Sequence, residues 1–142
     1  MRWFNKGKEN KNIKRIKEEI EKCLKLIQAK EIQSINFLLL SRILYLFYNS
    51  ILSGLGEPLK RGLRPTITFG TNNHKTIDDL CANIFIKALD IRLEEENIFL
   101  RINKIGEISD RINISKTISK EDLAFLLSVF EHMQVYIGRK YT

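Results

Sequence analysis

Apolar residues recur along this chain with the period of a helix. Between Glu9 and about Lys30 they fall at Ile13, Ile16, Ile20, Leu24 and Ile27, spacings of three, four, four and three that trace one helical face. The other side is rich in lysine, and Glu18–Lys22 and Glu21–Lys25 stand in the favourable i, i+4 order. Residues 1–8 read as a flexible basic N-terminus ahead of this helix. The pattern leaves open whether the helix breaks at Glu31 or runs on.

The next segment, about Ile32 to Ser53, is apolar nearly all round, which predicts the central helix of a bundle. Arg42, Asn49 and Ser53 interrupt it on one side, because steps of seven and eleven residues return to nearly the same azimuth. That stripe is either the helix's narrow solvent edge or the lining of a polar cleft. The segment is also long enough to raise the question of a membrane span. A central arginine costs about 2.5–3.5 kcal/mol on insertion, and a core helix explains the pattern without that cost.

"GLGEPLKRGLRP" then breaks the periodicity, "TITF" alternates as a short extended piece would, and "GTNNHKT" is turn chemistry. Residues 54–75 therefore read as one long irregular loop. Thr76 with Asp79 resembles a capping box opening a third helix, Ile77 to about Leu89, with Leu80, Ile84 and Leu89 inward. A fourth, about Leu93 to Ile112, turns Ile98, Ile102, Ile105, Ile108 or Ser109, and Ile112 to one side, with Glu94 to Glu96 in its first turn. Gly106 weakens that helix by up to about 1 kcal/mol. Ser119 with Asp122 opens a fifth, which buries Leu123, Leu126, Leu127, Phe130 and Ile137 and stops at Gly138. The expectation is a single all-α domain over residues 1–142, a bundle of four to six helices.

Charge sharpens this picture in one place. Of the net +7, residues 1–30 carry +6 and the rest of the chain is nearly neutral. A basic N-terminal helix fits RNA, DNA or an acidic surface, and equally a well-solvated helix with spare lysines. Two cysteines without paired spacing, Cys23 and Cys81, suit a reducing cytoplasmic setting as small buried hydrophobes. "MRWFNKGKENKN" lacks the apolar run of a signal peptide.

Candidate chemistry is sparse. His74 lies in a turn and His132 on the last helix beside Phe130 and Met133, at the edge of the core; neither has a sequence partner for metal or nucleophilic work. No phosphate loop is present, and no cofactor or metal is implied.

"FLLLSRILYLFYNSILSGLGEPL", "TITFGTNNHKTIDDL" and "INKIGEISDRINISKTISKEDLAFLLSVFEHM" together resemble the HEPN superfamily, and more narrowly its bacterial members in defence and toxin–antitoxin loci. The match in order and spacing runs from about residue 37 to 137. The resemblance implies a homodimer, and in the catalytic members a ribonuclease that pairs an arginine with a histidine four to six residues on. Here Arg111 would be that arginine, with Asn113 and Lys116 completing a degenerate motif, but positions 116 to 118 read Lys, Thr, Ile. Ile112 also stands where the family places Asn, Asp or His. A lysine, with an unperturbed pKa of about 10.4, is a poor general base at neutral pH. The expectation is a chain without ribonuclease activity.

Two functions of different class follow. One is a non-catalytic HEPN-like module that binds RNA or a protein partner, with phosphate contacts from Lys8, Lys11, Lys14, Arg15, Lys22 and Lys25 and from Lys60, Arg61 and Arg64. The other is a small helical inhibitor or adaptor that docks a larger protein without nucleic acid, through a helix face or the 54–75 loop. An exposed apolar patch on the last helix would favour the second.

Overall fold

The computed structural model describes residues 2–29, 34–55, 77–89 and 98–141, and all statements below concern these. They form five helices: α1 Arg2–Ile27, α2 Ser34–Leu55, α3 Ile77–Ala88, α4 Ile98–Ser115 and α5 Lys120–Lys140. The expected all-α bundle is what the chain forms, with no strand among the described residues.

The helices bury most of the positions their periodicity marks; on α3, Leu80 and Ile84 are buried, while Leu89 lies just past the helix end and is partly buried. Ile13, Ile16, Ile20, Leu24 and Ile27 of α1 are all buried, joined by Cys23. On α4, Ile98, Ile102, Ile105, Ile108, Ser109 and Ile112 are buried together, so both alternatives at the fourth position face inward. On α5, Leu126, Phe130 and Ile137 are buried with Val129 and Met133, while Leu123 and Leu127 lie at the margin. Each fully buried Leu, Ile or Phe contributes roughly 1.5–3 kcal/mol by leaving water. Such a ring of apolar faces is enough to hold a bundle of this length.

α2 is the central element and packs on both α4 and α3, while α1 lies against α5 and also touches α2 and α3. Phe47 of α2 meets Phe130 of α5 edge to face, ring centres 5.0 Å apart, and this contact ties the two halves of the core. Two glycines set the helix spacing. At Gly54 a Cβ would fall against the Asp78 carbonyl and 2.7 Å from the Ala82 Cβ, so only glycine lets α2 approach α3 there. At Gly106 a Cβ would sit 3.2 Å from the Tyr48 ring. Gly106 therefore weakens α4 locally but seats α2 against it.

Several boundaries differ from expectation. α1 starts at Arg2 rather than Glu9, because "RWFNKGK" holds no proline to stop it, so residues 2–8 are helical in backbone. α1 ends at Ile27, which answers the question left open at Glu31. Lys22 pairs with Glu19 at 3.2 Å, three residues back, rather than with Glu18 four back, the partner its spacing favours. α2 runs through Gly54 to Leu55, two residues into the stretch expected as loop; residues 56–75 lie outside the described residues, as do Thr76 and the Glu94–Glu96 run. α5 passes through Gly138 and ends at Lys140, with Tyr141 N–H donating to the Ile137 carbonyl at 2.9 Å. A glycine at an exposed position need not stop a helix whose hydrogen bonds continue beyond it.

Candidate functional site

Arg111 stands in the last turns of α4, and α5 begins nine residues later, at Lys120. Ser119 is the N-cap of α5, and its hydroxyl accepts the Asp122 N–H at 3.1 Å. Half of the expected capping box is therefore formed. The other half is not, because the Asp122 carboxylate turns to Arg111 instead. Arg111 Nη2 donates to Asp122 Oδ2 at 2.8 Å and Nε donates to the same oxygen at 3.3 Å. The Asp122 side chain is 13% exposed and that of Arg111 51%, so the pair is half-sheltered.

Lys116 is bound up in the same corner. Its φ of 56° places it in the left-handed region, and its N–H donates to the Ile112 carbonyl at 2.9 Å. That is the single-bond cap that commonly ends a helix on glycine. Its ammonium donates to the Asn113 carbonyl at 2.6 Å, satisfying another terminal acceptor. Ser115 bonds the Arg111 carbonyl at 2.7 Å and lies 3.0 Å from the Thr117 hydroxyl. The three residues of the degenerate motif thus do helix-end work. No histidine is brought to Arg111 among the described residues.

His132 is exposed rather than at the core edge, with Nδ1 against the Ser128 carbonyl of its own helix. It lines a groove of about 410 Å³ between α3 and α5 with Lys87, Glu131, Tyr136 and Arg139. Partial burial raises the pKa of the Tyr136 hydroxyl above its ordinary value. His74 lies outside the described residues, and so do Lys60, Arg61 and Arg64. Among the described residues no three His, Cys, Asp or Glu side chains converge as a metal site would require.

The basic face of α1 is clearer. Because α1 buries its isoleucine side, Lys11, Lys14, Arg15, Lys17, Lys22 and Lys25 are held exposed on the rest of its circumference. Only the backbone of Lys8 is described. From Asn10 to Lys17 there are four cations and no acid, whereas Glu18, Glu19 and Glu21 dilute the charge further on.

Some surface features gave no signal of their own in the sequence. Leu38, Leu39, Tyr45 and Leu46 of α2 are 45–61% exposed. Arg42, Asn49 and Ser53 share that outward face, so their stripe is a solvent edge with leucines on it. Beside Tyr45, a cleft of about 280 Å³ between α2 and α4 is lined by Tyr48, Asn103, Gly106, Glu107 and Asp110. α2 is also a helix long and apolar enough to cross a membrane, over Asn36–Leu55. Its opposite face, Leu40, Leu44, Phe47 and Ile51, is packed in the bundle core. The helix order and the helix–turn–helix at Arg111 are what the structure offers for comparison with known proteins. No protein-family model, curated protein or solved structure matches the chain.

Proposed function

We propose that the chain is a non-catalytic helical module of HEPN type that binds RNA through the outward face of α1. The observation that carries this reading is the fixed exposure of Lys11, Lys14, Arg15 and Lys17 in an acid-free run on a helix whose other face is buried. These side chains span about 9 Å of helix at 1.5 Å per residue and fan around its exposed circumference, so that a single strand lying along α1 can meet all four cations. Arg111 and Lys116 support the non-catalytic part, since both are committed to the α4–α5 corner. The HEPN assignment rests on the sequence resemblance and on a helix order compatible with it.

Fluorescent single-stranded RNA titrated across a salt series tests the reading. Four phosphate contacts give a log–log slope of about −3 for a single strand. Reversing Lys11, Lys14 and Arg15 to glutamate is expected to abolish binding without loss of helicity. Unchanged affinity sinks the electrostatic interface, and cleavage products on a gel sink the non-catalytic assignment.

A second reading, a small adaptor or inhibitor working by protein docking, is favoured by the exposed leucines of α2. The patch is not on the last helix, where Val135 is the large apolar residue left exposed. A pull-down with wild type and with Tyr45→Ala separates this reading from the first, because Tyr45 lines the α2–α4 cleft rather than the α1 side of α2.

A further inference from the structure

The outward face of α2 is an apolar ridge with an acidic, aromatic cleft along one side. Leu38 and Leu39 are followed seven residues later by Tyr45 and Leu46, all four exposed. Seven residues are nearly two full turns, so the two pairs stand about 10.5 Å apart along one line of the helix. That is the interval at which one helix offers a seam to another. Arg42 lies midway between the pairs, exposed and with no ion-pair partner among the described residues.

Along the Tyr45 side runs the α2–α4 cleft of about 280 Å³. Tyr45 and Tyr48 form one wall, with ring centres 6.4 Å apart and planes inclined at 41°. Asn103, Glu107 and Asp110 of α4, at i, i+4 and i+7, form the other. Gly106 leaves the floor open, because a Cβ there would press on the Tyr48 ring at 3.2 Å. Glu107 and Asp110 are exposed and make no ion pair among the described residues. Two carboxylates, an amide that can turn its oxygen inward and two ring faces all favour a cation. No cation lines the cleft among the described residues, although the chain as a whole carries +7.

We propose that this face seats an amphipathic helix of a protein partner, with apolar side chains on the ridge and one lysine or arginine side chain inserted between the tyrosines and the acids. The inference rests on the docking reading above and names the chemistry of the partner; it does not depend on α1 binding RNA. Charge complementarity selects the occupant. Acids beside the ridge repel phosphate, so neither an RNA backbone nor an anionic bilayer suits this face. The partner residue over Arg42 is acidic or polar, since an apolar residue there would strip the guanidinium of water without replacing its hydrogen bonds.

The test uses the full chain and a fluorescein-labelled peptide of about 20 residues, long enough to be helical. It carries two leucine pairs seven residues apart, a glutamate midway between them and a lysine beside the seam. A second peptide has glutamate in place of that lysine. Fluorescence anisotropy is expected to show the lysine peptide binding about tenfold or more tighter, against the chain's own positive charge. Glu107→Gln with Asp110→Gln, and separately Tyr45→Ala, should remove that preference; all three positions are exposed, and circular dichroism should not change. Equal binding of the two peptides, or a preference that survives both variants, overturns the proposal. So does a lysine peptide that fails to bind at millimolar concentration. Self-association of the chain, or its partition onto phosphatidylserine vesicles, overturns it as well if Tyr45→Ala abolishes the effect. A partner held in a pull-down equally by wild type and by the glutamine double variant keeps the docking reading and overturns the basic anchor, which separates the two failures.

Discussion

Arg111 donates two hydrogen bonds to one carboxylate oxygen of Asp122, eleven residues away and across the turn between α4 and α5. The pair clamps two helix ends that share few other contacts. Hydrogen bonds to charged groups contribute about 1.5–3 kcal/mol, and removing the cation leaves a largely sheltered carboxylate unpaired. Arg111→Ala is therefore expected to destabilise by about 1–2 kcal/mol in urea denaturation, with part of the pair still solvated. Asp122→Ala should cost more, because it also removes a favourable charge in the first turn of α5. If Arg111→Ala proves neutral, the clamp is ornamental and the arginine is free for another role.

Lys116 occupies a backbone conformation that costs an L residue about 1–2 kcal/mol. Lys116→Gly relieves that cost and loses one exposed bond to the Asn113 carbonyl. The expected net gain is about 0.5–1 kcal/mol, seen as a Tm higher by a few degrees. No gain would mean that the ammonium cap matters more than the backbone strain.

Glycine to alanine should act in opposite directions at two positions. Gly138 is exposed in α5 with open space around it, so Gly138→Ala should stabilise by up to about 1 kcal/mol. At Gly54 the added methyl meets the α3 backbone, and the helices must part. Gly54→Ala is expected to destabilise by about 1–3 kcal/mol despite its better helix propensity. Thermal melts of both variants check the sign of each.

Cys23 and Cys81 give the fold an alkaline limit. Burial raises both thiol pKa values far above the ordinary range, with Glu19 and Asp78 adding to the shift. A raised folded-state pKa leaves stability intact below the unfolded thiol value of about 8.5 and erodes it above that pH, where only the unfolded chain ionises. Each thiol should cost up to about 1.4 kcal/mol per pH unit there. Denaturation at pH 7.5 and 9.5 should show a loss that a Cys23→Ala, Cys81→Ala double variant reduces. Thiol reagents should label the wild type at a rate set by opening of the fold.

The helical faces were legible because each interior position obeys a period that needs no knowledge of its neighbours. Ile16 or Ile105 can be placed inward from spacing alone. The exposed leucines of α2 were not legible, since a helix apolar all round has no weak face to mark which leucine is left without a neighbour. Ser119 was read correctly as the cap, but the Asp122 carboxylate expected to complete the box had two suitors. Only the distance across the turn shows that Arg111 wins. Lys116 was judged as a substitute for a base, when its backbone angle makes it a substitute for glycine.

Ser41 of α2 donates to the Ser109 carbonyl at 2.9 Å, and Ser109 of α4 donates to the Ser41 carbonyl at 2.7 Å, with both hydroxyls buried. Around this exchange the α2–α4 seam is oily, and oil resists neither sliding nor rotation. A slip of one helical turn, 5.4 Å, would strand two hydroxyls in a dry interior at once. The serine pair therefore acts as a pawl. It adds modest strength to the seam and fixes the height at which α2 stands against α4.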